Sequence, residues 1–539
     1  MTYLLLALAA LLVWAWVLRL ALARRRIERS TAEIRPDVSL STRARVLLVV
    51  GLVALPLVAI TAAAPVVLCF GGGIDLGVTV RGGLSNPECV GLTDGSHSFS
   101  GGLVEVSDAA RSRYDEVMDQ IDDQNGQVTD PRVRIAFMTS LTSPLAGPRV
   151  VHELAGLAEA QRAINAENDN PQIELVLANT GSAAKHWAPV VADLVAMADD
   201  DPPLVAVVGV GLSQDETKNA AWELSRAGIP MVSDVVTAAR LDPDRDIPNF
   251  HRVAWANRVQ FESTVEVLRA KGIDLGRAFV VRNDDASDTY SKTSAEVVRA
   301  QLGLADDWTF GVGDTDPASL DRALGSQFRR IADAMCARLG ADPGKPVVVF
   351  YAGRARHLSS LVEKVATRPC AEGRVIVVSA SDAAVFRMGD TDQVAAKAWG
   401  NEKVMSAIRG GEVSLYFTSL AEPGALAERP QFQRLRSAFA GRESELDTGW
   451  AVMSWDALHV AAAWARDARD ESETEPEAYL RQMRVSAAKR FTAENPYRGA
   501  SGDFYFDEST GDRVSTDGSR PVVLGFKGDG SVCRPGPDC

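Results

Sequence analysis

Along most of the chain, short runs of continuous apolar residues alternate with longer stretches in which apolar residues recur every three or four positions. The runs are 133–138 (VRIAFM), 173–178 (IELVLA), 204–209 (LVAVVG), 229–233 (IPMVS), 278–282 (AFVVR), 347–351 (VVVFY), 374–379 (RVIVVS) and 413–418 (VSLYFT). Their length and Val/Ile content predict strands, and their lack of alternation predicts burial on both faces. The amphipathic stretches at about 149–167, 184–199, 214–227, 258–271, 288–302, 318–339 and 355–367 predict intervening helices. Such alternation signals parallel βαβ units. Eight strands are many for one open sheet, so the pattern divides into two doubly wound lobes, with a ligand cleft at the carboxyl ends of their strands. Helices near 430–441, 448–468 and 475–488 follow, then a Gly/Asp-rich tail with short strands near 503–506 and 521–526.

The amino terminus has a different pattern. Residues 1–18 are uncharged and the apolar run continues past Arg19 to Ala23; residues 46–70 are a second uncharged stretch. About 20 apolar residues span a bilayer, so both are expected to cross it. Between them lie Arg24, Arg25, Arg26, Arg29, Arg35, Arg43 and Arg45. The positive-inside rule makes that loop cytoplasmic and everything after residue 70 external. A cleaved signal peptide fits less well, because its charges precede the apolar run. A lipid-modified Cys69 would follow Leu68, where such sites take a small residue. Residues 71–107 are rich in Gly, Ser, Asn and Asp and predict an irregular linker. A helix over about 108–124, apolar only at Val117, Met118 and Ile121, predicts a solvated helix or stalk. The expected organisation is a hairpin (1–70), a linker with a short helix (71–130) and a bilobed domain (131–539).

Charge narrows the partners. Residues 1–70 carry eight Arg against three acids, a net of +5, which leaves 71–539 at −19 out of a total of −14. Nucleic acid needs a basic footprint and is excluded as the large domain's partner. At 46% hydrophobic and 24% charged, the chain can bury a core. No CxxC occurs among the six cysteines, and outside the cell Cys336–Cys370 and a tie involving Cys533 or Cys539 are expected. The histidines form no HExxH, and no GxSxG or Walker loop is present, so neither an enzyme nor a metal or other cofactor is expected. Asp242, Asp244 and Asp246 lack the turn glycine and terminal Glu of a calcium loop.

VRIAFMTSLTSPLAGPRVVHELAGLAEAQRAINAEN, LVAVVGVGLS, GIPMVSDVVTAARL and FHRVAWANRVQ, followed by VVVFYAGRARHLSSL, IVVSASDAAVF, VSLYFTSLAEP and TGWAVMSWDALHVAAAWARD, together resemble type I periplasmic solute-binding proteins of the branched-chain amino acid receptor group. The resemblance covers about 130–530. It implies an α/β fold of two Rossmann-like lobes, an amino lobe of about 131–255 plus 420–485 and a carboxyl lobe of about 256–419 plus 486–539, joined by a three-stranded hinge. It also implies a small polar ligand, anionic in one version, and an ABC-type importer permease as partner.

Matched residue by residue, the resemblance places Ser213 and the Val235, Val236, Thr237 segment around a ligand carboxylate or carbonyl, with Thr142 in the roofing loop 139–147. Ser213 also suits a plain helix N-cap. The other half departs from the pattern. Asn257 stands where amino acid receptors place an acid, and Arg354 where they often place a tyrosine; Asp382 stands where a second acid is common. Arg354 is expected either to meet the ligand or to pair with Asp382. Two readings follow: a membrane-anchored extracytoplasmic receptor, or an envelope interaction module that keeps the fold without a ligand.

Overall fold

The apolar runs do pair as parallel neighbours, and they do so in two sheets of the same strand order. The computed structural model describes residues 77–81 and 88–539, apart from 104–105, 144–146, 148, 168, 240, 242–246, 305–306, 313–316, 371–372, 392–395, 397–398, 472–475 and 536–538. The two apolar stretches of residues 1–70 and the Asp242–Asp246 turn lie outside the described residues. Among those described, no helix is long and apolar enough to cross a membrane.

The first compact unit, up to Gly91, is described only at β1 (Val78–Arg81) and most of β2 (Glu88–Thr93), which pair antiparallel with Val78 opposite Gly91. The expected irregular linker thus contains a hairpin. Its strands are too short and too interrupted by Gly for a period of two to stand out.

The second unit runs from Leu92 to Cys539. It opens with α1 (Asp108–Asn125), capped by Ser107, whose side chain accepts the Ala110 N–H. This is no solvated stalk. Ala110, Tyr114, Val117, Met118 and Ile121 form one buried stripe, with Tyr114 fully enclosed. The tyrosine's polar end masked the 3.6-residue period.

Then come β3 (Arg132–Thr139), α2 (Arg149–Ala166), β4 (Gln172–Asn179), α3 (Trp187–Ala196), β5 (Leu204–Gly209), α4 (Asp215–Arg226), β6 (Met231–Ser233) and β7 (Phe250–Arg252). The strands pair in parallel in the order β4-β3-β5-β6-β7. Every residue of β5 is buried, as a central strand covered by helices on both faces requires. The core around it includes Ala136, Val176, Leu194, Val207, Leu224 and Ile229.

The second sheet repeats this plan. Its elements are α5 (Asn257–Ala270), β8 (Phe279–Asn283), α6 (Thr289–Leu302), β9 (Asp307–Phe310), α7 (Pro317–Ala341), β10 (Val347–Ala352), α8 (Ala355–Ala366), β11 (Val375–Val378), α9 (Glu402–Arg409) and β12 (Val413–Ser419). The parallel order is β9-β8-β10-β11-β12, with Phe261, Val265, Phe350, Ile376 and Tyr416 in its core. A disulfide joins Cys336 on α7 to Cys370.

The chain returns to the first sheet through α10 (Pro423–Leu426), α11 (Pro430–Ala438), α12 (Trp450–Glu471) and α13 (Pro476–Lys489). Helix α12 lies against α2 so closely that a Cβ on Gly156 would sit 2.2 Å from the Ala451 carbonyl oxygen. A small antiparallel sheet, β13 (Tyr497–Gly499), β14 (Gly502–Phe506) and β15 (Arg513–Ser515), is tied down by buried Asp456, which accepts the Ala500 and Ser501 N–H groups at 2.8 Å. Strands β16 (Val522–Phe526) and β17 (Val532–Cys533) then extend the second sheet antiparallel beyond β12, closed by a Cys533–Cys539 disulfide.

Candidate functional site

In a sheet ordered 2-1-3-4-5, the chain leaves the first and third strands toward opposite faces, so their loops diverge and open a crevice at the carboxyl edge. In the first sheet these are the loops after β3 and β5; in the second, after β8 and β10. The two crevices face each other. The Ser213 carbonyl accepts the Arg354 Nη2–H at 2.9 Å and the Tyr290 N–H at 3.3 Å, and Asp215 N donates to the Ser287 carbonyl at 3.0 Å. Ala239 N donates to Thr293 Oγ1 at 3.3 Å. These bonds bring the two lobes together around the cleft.

The structure brings most of the expected residues to this seam. The Ser213 hydroxyl accepts the Ala238 N–H at 3.2 Å and so ties its own loop to the Val235–Thr237 segment. It does not cap α4: Gln214 is the N-cap residue and makes no side-chain cap bond. The first turn carries Asp215 and Glu216, which oppose the helix dipole's attraction for an anion. The Val236 N–H is taken by Ser233 Oγ at 3.0 Å, and the Thr237 carbonyl accepts the Asn257 N–H at 2.6 Å. Val235 is buried beside them. Thr142 is buried in the roofing loop and receives the Asn179 Nδ2–H at 3.3 Å.

Arg354 is buried, and its partner is Asp288 rather than Asp382. Its Nη2 lies 2.7 Å from Asp288 Oδ1, its Nε lies 3.3 Å from Oδ2, and its guanidinium carbon stands 4.7 Å from the Tyr290 ring centre. Burial works against the guanidinium's charge, but Asp288 and Asp382 outweigh it and hold the pKa above its ordinary value. Asp382 instead accepts the Ala355 N–H at the start of α8. Asp288 also caps α6, accepting the Ser291 Oγ–H at 2.6 Å. An acid before Thr-Tyr-Ser reads from sequence as a cap alone, which is why its second role was missed.

Asn257 is fully buried, and its Nδ2 donates to Thr293 Oγ1 at 3.0 Å and Ser294 Oγ at 2.9 Å. Because Thr293 Oγ1 itself donates to the Thr289 carbonyl, it must accept from Asn257, which fixes the amide's orientation. Asn257 Oδ1 then has no partner among the described residues. The same holds for Thr139 Oγ1, Gln214 Oε1 and Thr217 Oγ1 in the amino lobe, and for Thr289 Oγ1 in the carboxyl lobe. Buried polar groups ordinarily find partners, so those at the strand ends are open to the polar atoms of a ligand.

A second cluster escaped sequence reasoning. Arg149 at the start of α2 forms an ion pair with Glu153 one turn on, at 2.9 Å, and Asp234 follows β6; all three are buried. No well-formed hydrogen bond from the described residues reaches either carboxylate oxygen of Asp234 or of Glu153. Burial pushes Glu153 up to about 8, against Arg149 and with help from Asp234, and pushes Asp234 up to about 6 against Arg149 and the nearby amides. The available signal was an acid directly after a buried strand, in MVSDVV.

No protein-family model matches the sequence, and no curated protein matches it. Solved structures do match in fold. The branched-chain amino acid transporter substrate-binding protein of Streptococcus pneumoniae, solved with isoleucine, is 20% identical, with 74% of this chain and 97% of that chain covered at a TM-score of 0.51. An ABC transporter substrate-binding protein of Aeropyrum pernix is 13% identical over 75% and 94%, TM-score 0.51. An extracellular ligand-binding receptor of Verminephrobacter eiseniae is 13% identical over 75% and 99%, TM-score 0.50. The matches are consistently type I periplasmic binding proteins of the branched-chain amino acid transporter kind, and the chain has their fold.

Proposed function

We propose that the bilobed domain is an extracytoplasmic solute-binding receptor that closes on a small polar ligand and is no enzyme. The observation that carries this reading is the pair of facing switch-point crevices, lined from both lobes by buried polar atoms without partners. In this proposal residues 1–70 anchor the receptor in the membrane as a two-helix hairpin, and an ABC-type permease receives the ligand. The structural likeness to substrate-binding proteins supports the binding role.

The test is a thermal-shift screen of the purified chain against amino acids, organic acids, amides, amines and sugars. A ligand at 100 times its dissociation constant adds about 2.7 kcal/mol of stability, readily seen as a raised melting temperature. One observation favours the second reading, an interaction module: the Arg354 guanidinium is spent on the Ser213 carbonyl across the seam and on Asp288 of its own lobe. A screen with no hit in any class would decide for that reading.

A further inference from the structure

The receptor reading leaves open what the cleft receives, and the unsatisfied groups divide unevenly between donors and acceptors. Gln214 Oε1 and Asn257 Oδ1 can only accept, as can both oxygens of an ionised Asp234. Their residues are at most 4% exposed. Unmatched donors are scarce: Arg149 directs its Nε at Glu153, leaving Nη2, and the orphan hydroxyls can act either way. Charge points the same way. At the cleft, Arg149, Arg354 and Arg252, whose Nη1 meets the Val236 carbonyl, stand against Glu153, Asp234, Asp288, Asp382 and Asp512. Arg354 is matched by Asp288 at 2.7 Å, whereas the one guanidinium of Arg149, 2.9 Å from Glu153, serves both Glu153 and Asp234.

An anion has little to gain in this place. The Val236 N–H, one expected anion donor, is occupied by Ser233 Oγ, the Ser213 hydroxyl accepts the Ala238 N–H and keeps a single hydrogen to donate, and Asp215 and Glu216 stand in the first turn of α4. Burying a lone carboxylate is costly unless a charged donor meets it.

We propose that the cleft takes an organic cation bearing N–H donors, a protonated amine or guanidine without a carboxylate of its own, and that Asp234, backed by Glu153, receives its charged end. The proposal rests on the receptor reading and narrows it. It differs from an amino acid specificity, which needs an anion site as well.

The experiment is calorimetric titration and thermal shift on the purified full chain. The probes are 1,4-diaminobutane and agmatine as cations, leucine as a zwitterion, succinate as an anion, acetamide as a neutral donor, and calcium alone. A cation should bind and raise the melting temperature, and Asp234→Asn should weaken it at least tenfold, the size of a lost charged hydrogen bond. Glu153→Gln serves as the second variant, with circular dichroism confirming that both fold. Binding of leucine or succinate in preference to the cations would overturn the proposal while leaving the receptor standing. So would stabilisation by calcium alone, or undiminished cation binding by folded Asp234→Asn. No binding by any probe, in a chain that also fails the wider screen, would overturn both readings.

Discussion

Replacing Arg354 with alanine tests the seam between the lobes most directly. The side chain makes two hydrogen bonds to Asp288, at 2.7 and 3.3 Å, one to the Ser213 carbonyl at 2.9 Å, and a face contact with Tyr290. Asp288 is 3% exposed, so the variant strands a buried carboxylate. Removing one member of a buried ion pair costs about 3–5 kcal/mol, mostly from the charge left behind. The Ser213 carbonyl keeps the Tyr290 N–H, so its share of the loss is small. Urea melts should therefore show a loss of that size, and small-angle scattering should show a larger radius of gyration as the lobes part. The companion variant Arg354→Met with Asp288→Asn removes both charges and keeps a residue able to cap α6; it should recover to within about 1 kcal/mol of wild type. A loss below about 1 kcal/mol for Arg354→Ala, or a double variant as unstable as the single, would refute the buried Arg354–Asp288 pair, and an unchanged radius of gyration would refute the bridge to the Ser213 carbonyl.

Further outcomes follow from other sites. Glu153, with its folded pKa raised, favours the native state most below its unfolded value and loses that contribution as pH rises toward 8. Glu153→Gln should therefore gain on wild type by roughly 1–3 kcal/mol between pH 5.5 and 8, measured by melts at both. Buried His152, whose Nδ1 lies 2.9 Å from Thr448 Oγ1, is lowered to about 4 by burial and then by Arg113; its contribution is present above 6.5 and lost as pH falls through 4, so His152→Gln should blunt acid unfolding. Gly156→Ala should lower the melting temperature by several degrees, because its Cβ meets the Ala451 carbonyl at 2.2 Å and α2 must move off α12. A cysteine placed at Ser30 should resist a membrane-impermeant thiol reagent in intact cells, and its labelling would reverse the proposed hairpin orientation.

The sequence made the architecture legible where one physical signal dominated. LVAVVG and VVVFY are apolar on both faces because their sheets are covered on both sides, and no other element type of that length needs this. Phe250–Arg252 and Asp307–Phe310 were missed because edge strands of three or four residues with polar members carry no period. The site was legible to the level of loops. Ser213 and the Val235–Thr237 segment do meet, because adjacent parallel strands β5 and β6 end side by side. The partner of Arg354 was not legible. Strand β10 lies between β8 and β11, so the loop bearing Asp288 and the loop bearing Asp382 both flank it. Only the direction of the side chain chooses between them. Asp234 and Glu153 were hidden for a related reason: 81 positions separate them in the chain, and their shared surroundings come from the stacking of α2 over the sheet edge.

The Arg354 bridge also bears on how fast a ligand could come and go. A binding protein that rests open closes only after encounter, and its apparent affinity is reduced by the rarity of the binding-competent form. In the proposed receptor, groups of the protein itself join the lobes, so that reduction would be small for a ligand which fits the cleft as described. The cost falls on kinetics instead. Opening would require the guanidinium to leave the Ser213 carbonyl together with the Tyr290, Asp215 and Ala239 N–H bonds across the seam. If the domain is the receptor proposed above, each bond across the seam lengthens the time it takes to fill and to empty at a given affinity.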